Sequence, residues 1–521
     1  MSSDATVRAN PWLPRWLDLS AAVLAGGLHS LAIAHTEAWP LQLLSVAWLA
    51  RRAAMVSPTR AAWLGQLFGW AWLATSLWWL FISMHRYGGL PAWMAVAAVA
   101  LLSAFMACFL AAAMAGFAAT RRGRPLPDLL LFSAWWLLAE LVRATLFTGL
   151  PWAASGYAHV DSPLAPLAPW LGVYGIGFVA AALAAALVLP RPGGVRAWAV
   201  SSIAVLLLMV SAKLAGPGAF SQPGGTLSLA LLQGNVPQDE KFSIAHLPES
   251  LEWTRRELLA ADADLVLGPE TVIPLLPDQL DPQYWEPLLA HFRQPGRAAL
   301  IGLPLGDEVV GYTNSVAGVS ARTAGLPEGY YRYDKYHLVP FGEFIPFGFR
   351  WFTRMMNIPL GDFNRGVPVP PSFAVKGERI APNICFEDLF GEELAARFRQ
   401  PDQAPTVLAN ISNIGWFGET IAVRQHLNIS RMRSLELQRP MVRTTNTGAT
   451  VVIDHHGVVT HGLPPHTQGV LKATVQGRTG ITPFAWWGAR AGLWLPTLLG
   501  LTIVLAAARK LPGFQLTRTP C

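Results

Sequence analysis

Three side chains in the second half of the chain have types and neighbours suited to covalent chemistry at a carbonyl. They are Glu270 in Gly268-Pro269-Glu270-Thr271, Lys335 in Asp334-Lys335-Tyr336-His337 and Cys385 in Asn383-Ile384-Cys385-Phe386-Glu387. Each follows a short apolar or aromatic run, so all three are expected at strand ends. A thiol is the strongest ordinary side-chain nucleophile, but it needs a base or a positive neighbour to act as thiolate near neutral pH. Glu270 can be that base. Lys335 and a backbone N–H after Cys385 can stabilise the oxyanion that forms when a carbonyl is attacked. Two further acids belong to the same phrases. Glu343, in Pro340-Phe341-Gly342-Glu343-Phe344, can hold Lys335 or the leaving group, and Glu387 can orient the cysteine loop.

A lone cysteine at a strand end is usually a small buried apolar residue. Three reactive residues in order, each inside a longer phrase, outweigh that default. A Cys/His site using His337 or His426 is the rival arrangement, but no Cys-Gly-x-Cys-Trp phrase surrounds Cys385. His455, His456, His461 and His466 lack a helical His-x-x-x-His spacing and read as a polar hairpin, not a metal site. Cys108 and Cys521 show no spacing that implies zinc or a disulfide.

The elements that must position these residues lie between about Thr226 and Thr482. Strand-like runs are Leu227 to Leu232, Leu265 to Leu267, Ala298 to Leu303, Ile380 to Cys385, Thr406 to Ile411, Met441 to Thr444 and Thr450 to Ile453. Helix-like runs, Leu247 to Ala261 and Ile421 to Leu437 among them, lie between. Such alternation predicts a layered α/β domain. Gly216-Pro217-Gly218 and Gln222-Pro223-Gly224-Gly225 read as the linker before it.

The rest of the chain is apolar. Of 521 residues, 52% are hydrophobic and 14% charged, a balance that points to a membrane protein. The net charge of +7 sits in short clusters between apolar runs, which fits membrane topology better than a nucleic-acid partner. About seven runs of spanning or near-spanning length precede the α/β domain. They are Leu19 to Ala34, Trp39 to Ala50, Ala61 to Met84, Leu90 to Ala119, Leu129 to Phe147, Leu171 to Leu189 and Ala197 to Ala212, with another at Ala491 to Ala508. The second is short, and the first is expected to be an uncleaved span, not a removed signal peptide. Arg8 and Arg15, then Arg51, Arg52 and Arg60, then Arg121, Arg122 and Arg124, then Arg191 and Arg196, mark one side. Arg509, Lys510 and Arg518 return to it. By the positive-inside rule both termini are expected in the cytoplasm and the α/β domain outside, in the periplasm of a bacterium. Glu140 and Arg143 share a helix face within the fifth run and are expected to pair. The outer loops Gly88-Gly89-Leu90-Pro91 and Thr148-Gly149-Leu150-Pro151-Trp152 can line an opening under the α/β domain or simply connect helices.

The stretch Phe344 to Phe363 carries Phe344, Phe347, Phe349, Trp351, Phe352, Met355 and Met356, interrupted by Arg350 and Arg354. It reads as a loop that dips into lipid headgroups and grips an acyl chain, with the arginines near phosphates. A buried core segment is the alternative.

The order Glu270, Lys335, Cys385 resembles the nitrilase superfamily. The whole chain resembles one membrane-bound branch of it, the bacterial apolipoprotein N-acyltransferases. The phrases that carry the likeness are Leu232-Gln233-Gly234-Asn235, Pro269-Glu270-Thr271, Lys335 through Glu343, Ile384-Cys385-Phe386-Glu387, Asn410-Ile411-Ser412-Asn413 with Trp416-Phe417-Gly418, and Arg443 through Gly448. The resemblance implies a multi-span α-helical membrane domain (residues 1–218, about seven spans), a periplasmic α/β nitrilase-like domain folded as an α-β-β-α sandwich (226–478), and a C-terminal transmembrane helix with a cytoplasmic tail (483–521). It implies Glu270 as base, Lys335 as stabiliser and Cys385 as nucleophile, with Glu343 and Glu387 supporting, and Trp416 joins the candidate substrate contacts. The implied reaction moves an acyl chain from a phospholipid such as phosphatidylethanolamine to Cys385 as a thioester. It then passes to the α-amino group of a diacylglyceryl-cysteine at a lipoprotein N-terminus, with no cofactor or metal, in a monomer of the inner membrane. The chain departs from the family pattern at Phe386, at Phe242 and at Ile414-Gly415, beside the thiol and the acceptor. A membrane-tethered amidase or hydrolase is the rival activity. A transporter or receptor with an inert nitrilase-like domain is the rival from outside catalysis.

Overall fold

The computed structural model describes residues 15–189, 220–353 and 362–508. Four of its helical segments, Trp16–Ala34, Ala92–Thr120, Leu126–Thr148 and Ala165–Val188, are long and apolar enough to cross a membrane. Two more candidates are bent pairs, Pro58–Leu77 with Leu80–Tyr87 at 60° and Pro483–Ala491 with Trp494–Ala508 at 86°. The third apolar run of the sequence is therefore broken, whereas the eighth, from Ala491, forms the single helix Trp494–Ala508, and the bend separates it from the preceding helix Pro483–Ala491. The second run forms Trp39–Ala53, only 15 residues. At 1.5 Å per residue this helix is about 22 Å long, short of a hydrocarbon core of about 30 Å. The seventh run, Arg191, Arg196 and the basic residues after Ala508 lie outside the described residues.

Charge gathers at one end of this bundle. Asp18 is buried between Arg52, at 2.6 Å, and Arg60. Arg121 donates to the carbonyl of Ala54, and Arg122 to that of Ala507. A second knot ties helix Pro125–Thr145 to the following loop. The Glu140 carboxylate lies 3.3 Å from Arg143 and accepts from the N–H and hydroxyl of Ser155 at 2.7 and 2.9 Å. The expected pair thus forms, and Arg143 also lies over the Trp72 ring at 4.8 Å.

The α/β domain holds two six-stranded sheets built from β1 (Gln222–Gln233), β2 (Leu265–Leu267), β3 (Ala298–Asp307), β4 (Gly311–Ser320), β5 (Tyr331–Asp334), β6 (Phe373–Val375), β7 (Glu378–Ile384), β8 (Val407–Ser412), β9 (Met441–Thr445), β10 (Val451–Ile453), β11 (Val459–Gly462) and β12 (Gly469–Thr479). Their orders are β12-β1-β2-β3-β4-β5 and β11-β10-β9-β8-β7-β6. The central strands β1, β2, β3 and β7, β8, β9 run parallel, and antiparallel strands close both edges. Period-2 alternation sorts the side chains. Leu229 and Leu231 of β1 meet Ile380, Ile384 and Ile411 between the sheets, while Ala230 and Leu232 face Leu258 and Leu288 of helices Leu247–Ala260 and Pro282–Phe292. On the far side Leu408 and Met441 pack against Leu394, Leu437 and Phe484. The result is an α-β-β-α sandwich whose central strands are covered on both faces, as their near-continuous apolar sequences require.

Two expectations at its edges need correcting. Gln222-Pro223-Gly224-Gly225 is not linker: β1 begins at Gln222, paired with Thr479, and absorbs the Pro-Gly-Gly phrase through a register shift. The Gly225 N–H is satisfied by Glu378 at 2.6 Å. Cys385 is not the last residue of a strand either. β7 stops at Ile384, and Cys385 opens a tight helical turn, Cys385–Leu389, with φ of 50°.

The domain sits on the bundle end opposite the arginines. Gln425 joins Trp79, Trp152 and the Ser76 carbonyl, Asn428 donates to the Ile33 carbonyl at 3.2 Å, and Arg431 pairs with Asp161. The loop at Thr148 to Trp152 is part of this contact, with Trp152 buried against Trp79 and His426.

Candidate active site

Glu270, Lys335 and Cys385 leave their strands at the same edge of the facing sheets. β2 delivers Glu270 through Gly268-Pro269, and this loop lies so close to β3 that a Cβ on Gly302 would sit 2.3 Å from the Pro269 carbonyl oxygen. β5 delivers Lys335, whose backbone N–H is tied to the Asn314 carbonyl of β4 at 2.8 Å. β7 delivers Cys385. Cys385 and Thr271, the residue after Glu270, both take left-handed backbone angles with φ of 50°, a strained conformation of the kind that collects at reactive loops.

The acids and the lysine form one buried cluster. Lys335 Nζ lies 2.8 Å from Glu343 Oε1 and 3.5 Å from Glu270 Oε1. Asn314 Nδ2 bridges the same two oxygens at 2.7 Å to Glu270 and 2.6 Å to Glu343. The other oxygen of Glu270 accepts from the Asn413 N–H at 2.7 Å, and that of Glu343 from the Val339 N–H at 2.8 Å. Burial works against the charge on Lys335, but Glu343, then Glu270 and the thiol, outweigh it, so its pKa stands above the ordinary lysine value. The lysine is a fixed cation.

The thiol is held the other way. Burial first, then the charge of Glu270, pushes the pKa of Cys385 up to about 12 against the pull of Lys335 and the Ser412 hydroxyl. At neutral pH it is a thiol with a carboxylate and a cation beside it, so nucleophilicity must come from proton removal during attack. Lys241 adds a second buried amine. It donates to the Glu270 carbonyl oxygen at 2.8 Å, and burial lowers its pKa to about 8.

Both parts of the chain match known families. Residues 25–186 match the model of the apolipoprotein N-acyltransferase N-terminal domain, and residues 228–483 match that of carbon-nitrogen hydrolases. An apolipoprotein N-acyltransferase of Verminephrobacter eiseniae is 52% identical over 91% of this chain and 92% of its own length. One of Ralstonia nicotianae is 46% identical over 93% and 92%. The chain belongs to the apolipoprotein N-acyltransferase family. A carbon-nitrogen hydrolase from Helicobacter pylori G27 aligns with 52% of this chain and 94% of its own at 18% identity, with a TM-score of 0.34, too low to bear on the argument.

Family membership leaves the roles of individual residues to geometry, and Glu387 is the best defined. Its Oε1 accepts from the backbone N–H groups of Tyr336 and His337 at 2.7 and 3.2 Å. Its Oε2 accepts from the Tyr333 hydroxyl and the Ile384 N–H at 2.5 and 2.6 Å. It therefore staples the cysteine turn to the lysine loop. In Glu387→Gln the amide must face at least one backbone N–H whichever way it turns. We expect a loss of about 1–3 kcal/mol in stability and slower reaction at Cys385, read by thermal unfolding and by acyl-enzyme formation.

The candidate substrate residues begin beside this cluster, Phe344 directly after Glu343 and Trp416 three residues after Asn413. Phe344 is half-buried with Arg365 over its ring at 5.2 Å, Phe349 meets Phe341 edge-on at 5.4 Å, and Phe347, Arg350 and Trp351 are exposed. Trp416 packs edge-on to Tyr87 of the membrane domain at 5.6 Å. Arg354 and Met355 lie outside the described residues. Of the departures, Phe386 is buried against Phe390 and Phe242 is 47% exposed. Asn314, Lys241 and Tyr333 carry no motif of their own in the sequence. Only the polar run Thr313-Asn314-Ser315 inside an otherwise apolar strand gave a usable signal.

Proposed function

We propose that this chain transfers an acyl chain from a membrane phospholipid to the α-amino group of a lipoprotein's N-terminal S-diacylglyceryl-cysteine, through a thioester on Cys385. The observation that carries this reading is the buried Glu270–Asn314–Glu343–Lys335 cluster beside a raised-pKa thiol, in a domain seated directly on apolar helices. In the first half-reaction Glu270 takes the thiol proton as Sγ attacks the ester carbonyl. Lys335 and the Phe386 N–H stabilise the oxyanion, and collapse expels a lysophospholipid that recovers the proton from Glu270. In the second, the acceptor amine attacks the thioester, Glu270 takes the ammonium proton, and the thiolate leaves and is reprotonated. The overall exchange turns an ester into an amide, the more stable linkage, so it needs no added energy source even though the thioester between them is the less stable species. Phosphatidylethanolamine is the proposed donor.

The proposed domains follow the sequence divisions, with the catalytic part extended by β1 and β12 to Gln222 and Thr479. We place the α/β domain in the periplasm and the arginine end of the bundle in the cytoplasm of a bacterial inner membrane, because Arg52, Arg60, Arg121 and Arg122 share that end. Exposed Phe347, Phe349 and Trp351 then enter the lipid headgroup layer. One chain supplies Glu270, Lys335 and Cys385, so a monomer suffices.

Mass spectrometry of the purified chain incubated with phosphatidylethanolamine tests this, with Cys385→Ala as blank. Acyl mass is expected on Cys385 and should leave when a diacylated lipopeptide is added. If no acyl mass forms, the thioester route is wrong. If it drains to water without the lipopeptide, the chain is a hydrolase.

A further inference from the structure

Behind the cysteine turn lies a buried polar unit with no part in the proton transfers above. Asp388 Oδ1 is 2.9 Å from His426 Nε2, Asp388 Oδ2 accepts from the Ser430 hydroxyl at 2.5 Å, and Arg443 Nη2 is 2.6 Å from His426 Nδ1. All four side chains are buried. A guanidinium can only donate, so Nδ1 must be the accepting nitrogen, and the ring proton sits on Nε2. Burial, then the charge of Arg443, holds the imidazole pKa below its ordinary value, consistent with a neutral ring. With Nδ1 capped by Arg443 and Nε2 protonated, the ring has no lone pair to offer a thiol. The Cys/His arrangement is thereby excluded for His426.

The Nε2–H does reach the cysteine, at its backbone. Shared with Asp388 Oδ1 at 2.9 Å, it lies 3.2 Å from the Cys385 carbonyl oxygen, to which Asn410 Nδ2 donates as well, also at 3.2 Å. Asn410 is itself fixed by Asn383 at 2.7 Å. The Cys385–Phe386 peptide is trans, so its C=O and N–H point in opposite directions from one rigid plane. Gripping the carbonyl from behind fixes where the Phe386 N–H points. That control matters because Cys385 occupies a left-handed conformation, which is costly for an L-residue.

We propose that His426, set by Asp388 and Arg443, is a positioning residue that aims the Phe386 N–H at the developing oxyanion, with Asn410 holding the same carbonyl. It rests on Cys385 being the thiol that carries the acyl chain.

Two rates on the full-length protein separate this role from others. Alkylation of Cys385 by iodoacetamide displaces iodide from carbon and forms no oxyanion. Thioester formation from phosphatidylethanolamine passes through one. In His426→Leu, thioester formation is expected to fall about 10- to 100-fold, less than full removal of an oxyanion donor, while alkylation stays near the wild-type rate. His426→Gln, whose side-chain amide can reach the place of Nε2–H, should recover most of the loss. If His426→Leu does not accumulate, Asn410→Ser, lacking the other donor to the Cys385 carbonyl, is read in the same two assays with the same expectation. Equal falls in both rates, or no recovery in His426→Gln, overturn the proposal. A wild-type protein that alkylates but never forms the thioester overturns the acyl-transfer reading itself, and this proposal with it.

Discussion

Glu270→Gln is expected to slow acylation of Cys385 by about 10²- to 10⁴-fold, even though it makes the thiol easier to ionise. The two effects have opposite signs for a physical reason. The carboxylate of Glu270 is the second cause, after burial, that raises the thiol pKa to about 12. Removing its charge lowers that value, so the pH profile of Cys385 alkylation should shift to lower pH in the variant, toward the ordinary cysteine value of about 8.5. Burial remains, however, and near neutral pH most of the thiol is still protonated. Attack on an ester then requires that the proton be taken in the transition state, and glutamine cannot take it. Single-turnover thioester formation measures the loss, and alkylation against pH measures the shift. A profile that moves to higher pH, or acylation that survives, would remove Glu270 from the role of base.

Much of the site was legible in the sequence because its reactive residues are local to short phrases. Glu270, Lys335 and Cys385 each follow a strand recognisable from its own residues: β2 and β7 lie among parallel strands, and two antiparallel pairings through β4 return β5 to the direction of β3, so all three end at one edge. What stayed hidden depends on pairing across distance. β12 reads as polar because only one of its faces is buried, and it becomes a strand through pairing with β1, more than two hundred positions earlier in the chain. Asn314 looks like any polar residue in a strand until β4 lies between the glutamate and lysine loops. The Pro-Gly-Gly phrase reads as linker for the same reason: its turn chemistry is real, but Glu378 and the β12 register hold it extended.

In the membrane part, hydropathy located the runs but not their breaks. Nothing in the apolar stretch from Ala61 to Met84 distinguishes a straight helix from one bent by 60° after Leu77. The bend has a consequence for the site. It leaves Trp79 against Gln425, Trp152 and Phe417, on the surface that carries the catalytic domain. Trp152 in turn packs against His426 with the rings tilted by 34°, so the bundle end and the cysteine turn share one wall.

Lys335→Met is expected to lose acyl transfer by at least about 10³-fold and to cost about 3–5 kcal/mol of stability, since it breaks a buried ion cluster from one side. Lys335 is 1% exposed, and its charge is what allows Glu270 and Glu343 to share the Asn314 amide. Without the cation the two carboxylates repel, and a proton is drawn onto one of them. The variant therefore loses the oxyanion partner and compromises the base together, which a single substitution cannot separate. Lys335→Met combined with Glu343→Gln does separate them. Removing one acid with the lysine relieves the repulsion, so thermal stability should recover toward the wild type and Glu270 should again accept a proton. Thioester formation should nevertheless stay low, because no positive charge faces the oxyanion. If the double variant regains transfer along with stability, Lys335 is only a counter-ion for the acids, and the oxyanion is stabilised by backbone N–H groups alone.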